Sequence, residues 1–123
     1  MDNLLVGLGG FLGAILRYLV DGWVAQRLGS TFPYGTLVIN VGGSFLLGLL
    51  LTVVAERFAA PPGLRLFFGI GFLGAYTTFS TFAFESLVLI EDRAYLVAVA
   101  NLLGNVVLGL IAVALGVVIG RTL

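Results

Sequence analysis

Four runs of predominantly apolar residues, at about 4–24, 36–55, 64–90 and 94–120, occupy nearly the whole chain, with only short polar gaps between them. A helix needs about 20 apolar residues to cross the hydrocarbon core of a bilayer, and helices satisfy their backbone internally as that core demands. The fold class that follows is an all-α integral membrane protein: one multi-pass domain of four transmembrane helices. Composition agrees, since 60% of the 123 residues are hydrophobic and 10% are charged, against about 25% charged in soluble domains.

Charge and composition exclude several functions. Six basic residues balance six acidic ones, so neither a nucleic-acid partner nor a polybasic surface anchor is expected. The absence of histidine and cysteine removes most metal sites, thiol chemistry and disulfides. The first apolar run continues past Gly13 without a basic leader segment or a cleavage-like site, so no removable targeting peptide is expected. Gly69-Ile-Gly-Phe-Leu-Gly74 matches the dinucleotide fingerprint, but no strand precedes it and its surroundings are membrane. Without a His-paired nucleophile, a metal cluster or converging carboxylates, an enzyme is not expected.

Small and polar residues organise the four runs. Gly9 and Gly13 have the G-xxx-G spacing that admits a close neighbour, and so do Gly116 and Gly120. Arg17 and Asp21 share a helical face in the first run: either an interfacial ion pair or part of a water-filled vestibule. Gln26 to Gly35 reads as a loop flanked by the anchors Trp23 and Tyr34, with Thr36 placed to cap the second helix. Asn40 is the one strongly polar residue of the second run, with Gly43, Ser44 and Gly48 on its side; it is interhelical glue or lines a pore. Glu56, Arg57 and the turn Ala59 to Gly63 form the next loop, and Glu91 to Arg93 the last. Asn101, Asn105, Gly109, Ala112, Gly116 and Gly120 give the fourth run a face that is polar at one end and small along the rest.

The third run is longer than one crossing needs and turns polar in its middle. Gly69, Gly71 and Gly74 loosen it, and Thr77, Thr78, Ser80 and Thr81 can bond locally to the backbone. A break is expected between Ala75 and Thr78. It either lines a cavity or is a packing kink with its hydroxyls bonded back to their own helix. After it, Phe79, Phe82 and Ser86 share one face and Thr78, Thr81 and Glu85 the neighbouring one, as core packing or as a conduit. A half-helix restarting near Thr77 aims free N–H groups at the membrane interior, while the other end of the break offers carbonyls to a small cation. Asn40, Asn101 and Asn105 add amides, and Phe79 and Phe82 ring edges. That set of donors suits a small, partly dehydrated anion.

The arginines divide almost evenly between the two sides, with Arg57, Arg65 and Arg121 against Arg27, Arg93 and Arg17. The positive-inside rule has little to act on, and insertion in both orientations leads to an antiparallel homodimer.

Thr77-Thr78-Phe79-Ser80-Thr81-Phe82 after Gly74, Gly35-Thr36-Leu37-Val38-Ile39-Asn40 and Gly13-Ala14-Ile15-Leu16-Arg17 together resemble the Fluc (CrcB-like) fluoride channel family, across all four runs. The resemblance implies passive fluoride export across the cell's inner membrane by an antiparallel, dual-topology homodimer with two pores. Asn40, Phe79 and Phe82 then resemble pore contacts, with Ser80 and Thr81 as neighbouring polar positions. Glu85 resembles a pathway-adjacent carboxylate and Arg17 a vestibule arginine. The backbone carbonyls of Gly74 and Thr77, from both subunits, resemble the ligands of a structural sodium ion. Ala75 replaces a glycine frequent in the family, and Asn101 and Asn105 stand where hydroxyl side chains are frequent. Two other functions fit four apolar runs: a small multidrug-type proton-coupled exporter, or a non-transporting assembly subunit. The exporter wants a carboxylate within the first run, where this chain has Asp21 only near the end.

Overall fold

The computed structural model describes residues 1–57 and 60–123. Four helical stretches are each long and apolar enough to cross a membrane. Helix α1 is Asp2–Leu28. Helix α2 is Tyr34–Thr52 and continues through a wide i→i+5 turn at Val53–Arg57. The third stretch is two helices, α3 over residues 62–76 and α4 at Phe79–Glu91. Helix α5 is Tyr95–Thr122, with a wide-turn segment at Gly104–Leu108.

Boundaries differ from the sequence reading in three places. Gln26 to Leu28 are helical, because nothing breaks α1 before Gly29, whose φ of 80° is open to glycine. Thr36 does not cap α2: the helix begins two residues earlier behind Pro33, and Thr36 is buried in its first turn. Glu56, Arg57 and Glu91 belong to helical segments rather than loops. Of the turn expected over Ala59 to Gly63, Ala59 lies outside the described residues.

Glycine sets which helices touch. A Cβ on Gly9 or Gly13 would strike the carbonyl oxygens of Phe67 and Phe72, so α1 lies backbone to backbone against α3. Gly48 faces the Val113 carbonyl, Gly116 the Phe45 carbonyl and Gly120 the Thr52 side chain, which closes α2 on α5 in the same way. Close approach of this kind gives membrane helices packing contacts without needing a hydrophobic driving force. Ile39, Leu73 and Tyr76 form the core, wrapped by Val20, Leu47, Leu50 and Phe72. Large apolar side chains such as Phe11, Leu19, Leu110 and Ile111 cover the outer surface, as a lipid-facing exterior requires. The Arg27 guanidinium lies 5.2 Å from the centre of the exposed Trp23 ring, a pairing suited to the headgroup region. At the end carrying the C-terminus, Arg121 Nε lies 3.3 Å from Glu56 Oε2, on the surface.

Candidate functional site

The site begins where α3 stops. Thr77 (φ −80°, ψ 155°) and Thr78 (φ −146°, ψ 120°) are extended, so the break is two residues wide. The Thr77 hydroxyl donates back to the Leu73 carbonyl at 3.0 Å, staying with its own helix. Thr78 does the reverse and caps α4, its hydroxyl accepting from Thr81 N–H at 3.2 Å while donating to the Thr81 hydroxyl at 3.0 Å. Of the expected alternatives, a packing kink with back-bonded hydroxyls describes Thr77, while Thr78 borders a cavity.

Asn40 holds the break open. Its Oδ1 accepts from Thr78 N–H and its Nδ2 donates to Thr78 C=O, both at 2.9 Å. An extended residue inside an apolar bundle has no ladder partner, and one side-chain amide supplies both. The same Nδ2 donates to Asn105 Oδ1 at 2.9 Å, so both amide protons of Asn40 are directed at protein acceptors. Asn105 in turn bonds the carbonyl and Oδ1 of Asn101, and Asn101 donates to Ser86. Asn101 is 0% exposed. Asn40 and Asn105 thus meet at the break, while Asn101 lies behind them.

The two stripes of α4 face different neighbours. Phe82 and Ser86 are buried, whereas Phe79 is 77% exposed in the single chain. The two rings meet edge to face with centroids 5.6 Å apart. Ser80 is exposed. Thr78 and Thr81 instead line a cavity of about 280 Å³ with Arg17, Asp21, Thr36 and Ile39. Among the described residues Arg17 forms no ion pair with Asp21, and its Nε is buried without a hydrogen-bond partner. Glu85, one turn further, has a buried Oε1 without a partner and lines a larger cavity of about 540 Å³ with Asp21, Asp92 and the loop after α1.

Gly74 is exposed at the end of α3. The Thr78 N–H that would close its carbonyl into a further helical turn is taken by Asn40. The last carbonyls of α3, Gly74 among them, have therefore lost their helical partners, as at any helix C-terminus. That is a fit for carbonyl coordination of a small hard cation.

Three participants were not singled out as site residues from the sequence. Thr78 looked like one hydroxyl among four, Thr36 like a cap, and Ser86 only like a member of the aromatic face. The N-cap pattern Thr78-x-x-Thr81 could have drawn attention to the first; no spacing announces that Ser86 meets Asn101.

The family described as CrcB-like protein, Camphor Resistance (CrcB), matches residues 4–117. The chain is a member of the CrcB-like family. Relatives within 42–48% identity span nearly all of it. The fluoride-specific ion channel FluC of Acidobacterium capsulatum is 48% identical over 121 residues, 98% of this chain and 97% of the relative. The FluC of Citrifermentans bemidjiense is 46% identical over 118 residues, covering 96% and 95%, and that of Chloroflexus aurantiacus is 46% identical over 122 residues, covering 98% and 97%. The CrcB-like match contains α1 from residue 4, the clasp of Asn40 on Thr78, and Asn101 and Asn105 together.

Proposed function

We propose that this chain is a fluoride-selective channel that lets fluoride leave the cell passively and so relieves its toxicity. The observation that carries this reading is that similarity to fluoride-specific channels runs the length of the chain and through the broken helix. Fluoride is a compact anion with tightly held water, and a path that admits it must replace that water with donors while larger halides are too big to follow.

In this reading the anion enters at the cavity where the buried Arg17 Nε has no hydrogen-bond partner and Asp21, Thr36, Thr78 and Thr81 complete a polar lining. It moves on to Asn40 and to the ring edges of Phe79 and Phe82, with Ser80, Thr81 and Glu85 beside the path. An anion at Asn40 meets an amide whose two protons already face the Thr78 carbonyl and Asn105 Oδ1. The functional unit is an antiparallel homodimer in the bilayer, which covers the exposed Phe79 ring and brings it to the pore. The Gly74 and Thr77 carbonyls of the two subunits would hold a sodium ion, which would supply a fixed positive charge at the breaks.

Fluoride efflux from liposomes containing the purified chain, read with a fluoride electrode and compared with chloride, tests this function. Rapid fluoride loss without chloride flux is expected. Silence toward both ions from folded, dimeric protein would overturn the channel reading and leave the two rivals, of which proton-coupled uptake of an organic cation would favour the exporter.

A further inference from the structure

We infer that Ser86 and Asn101 are positioning residues, which set the orientation of Asn40 and of the first turn of α4 through a hydrogen-bond relay running in one direction; the functional part of this inference rests on the channel reading above. The relay leaves the backbone at Thr78, whose N–H donates to Asn40 Oδ1 at 2.9 Å. Asn40 Nδ2 donates to Asn105 Oδ1 at 2.9 Å, and Asn105 Nδ2 to Asn101 Oδ1 at 3.1 Å. Asn101 Nδ2 donates to Ser86 Oγ at 2.9 Å, and the Ser86 hydroxyl donates to the Phe82 carbonyl at 2.8 Å. The chain of bonds thus crosses from the break to α2, to α5 and back to α4, returning four residues beyond its start.

Its two ends fix its direction. A backbone N–H can only donate and a carbonyl can only accept, so every amide between them has one allowed orientation. Turning Asn40 or Asn105 over sets donor against donor on one side and acceptor against acceptor on the other, and turning Asn101 over sets its amide NH2 against that of Asn105. The Ser86 hydroxyl, which rotates freely elsewhere, is directed at Phe82 because Asn101 already donates to its oxygen. In a medium of low polarity such a chain polarises from bond to bond, and an open link leaves partners unsatisfied. Asn101 is 0% exposed and Ser86 4%, so neither meets an ion and both act through Asn40 and the Phe82 backbone.

The test uses the full chain with Ser86→Ala, Ser86→Thr, Asn101→Leu and the double variant S86A/N101L. Fluoride efflux is expected to fall about tenfold in each single removal, the rate equivalent of one lost hydrogen bond. Ser86→Thr keeps the hydroxyl and is expected to restore efflux. The double variant is expected to be no slower than the slower single one, because one open link already interrupts the relay. A second readout follows the Asn40 side-chain amide signal by nitrogen-labelled NMR in micelles. Ser86→Ala, which does not touch Asn40, is expected to move that signal, and Ser86→Thr to return it. Should Asn101→Leu fail to fold, Ser86→Ala removes a single oxygen and carries the test alone. An Asn40 signal indifferent to Ser86→Ala, or losses that multiply in the double variant, would overturn the relay. A wild-type chain that passes no fluoride while the Asn40 signal still responds would sink the channel reading and leave the relay standing.

Discussion

Asn40 and the two phenylalanines separate structural from functional burdens at the level of single side chains. Asn40→Leu keeps the branched outline of the side chain and leaves the Thr78 N–H and C=O without their partner. Each such buried group costs about 1–3 kcal/mol, so a clear drop in the thermal unfolding midpoint in detergent is expected, together with loss of efflux. Phe82 is 6% exposed and Phe79 77%. Phe82→Ile is therefore expected to lose about 1–2 kcal/mol of stability as well as flux, by the cavity it leaves. Phe79→Ile is expected to slow flux with little change in the unfolding midpoint of the monomeric chain. Unchanged fluoride flux with isoleucine at both positions would refute the ring-edge account. Much of this was legible beforehand: an amide alone in an apolar helix, and two rings at helical spacing beside hydroxyls, are conspicuous. What Asn40 does with its amide was not, because its partner is a backbone 38 residues away.

At the scale of elements, glycine decides how closely the helices lie. Gly13 and Gly116 face the carbonyls of Phe72 and Phe45, so Gly13→Val or Gly116→Val is expected to push α1 off α3 or α5 off α2. Loss of monodisperse protein on size-exclusion chromatography would register it, whereas Gly42→Ala, with nothing within 4 Å of the added carbon, is expected to elute unchanged. Equal tolerance of all three would mean that the contacts are not limiting. The G-xxx-G spacings were readable from the sequence, since spacing of four places residues on one face. Which helix each pair would meet was not, because spacing carries no information about the partner. The break between α3 and α4 was expected from the glycines and hydroxyls, and Asn40 confines it to Thr77 and Thr78. Without a partner for the Thr78 N–H, the extended pair would be more costly than a continued helix.

For the molecule as a whole, balanced charge and an exposed phenylalanine beside the break are the grounds for an antiparallel pair. The chain has no cysteine, so Ser30→Cys in the exposed loop before α2 introduces a unique thiol. A membrane-impermeant thiol reagent added to sealed cells is expected to label about half of it, as equal insertion in both orientations requires. Labelling near completion, or near zero, would exclude dual topology. By itself the sequence determined the four apolar helices, the place of the break and the residues able to carry polar chemistry, because hydropathy, helical periodicity and capping are local properties of the chain. The tertiary structure decided which polar atoms are engaged and which are not: Asn101 sealed against Ser86, Asn40 clasping Thr78, Arg17 and Asp21 lining one cavity without pairing. Hydrogen bonds depend on the distance and rotation between helices to within a few tenths of an ångström, and those quantities exist only once the helices have packed.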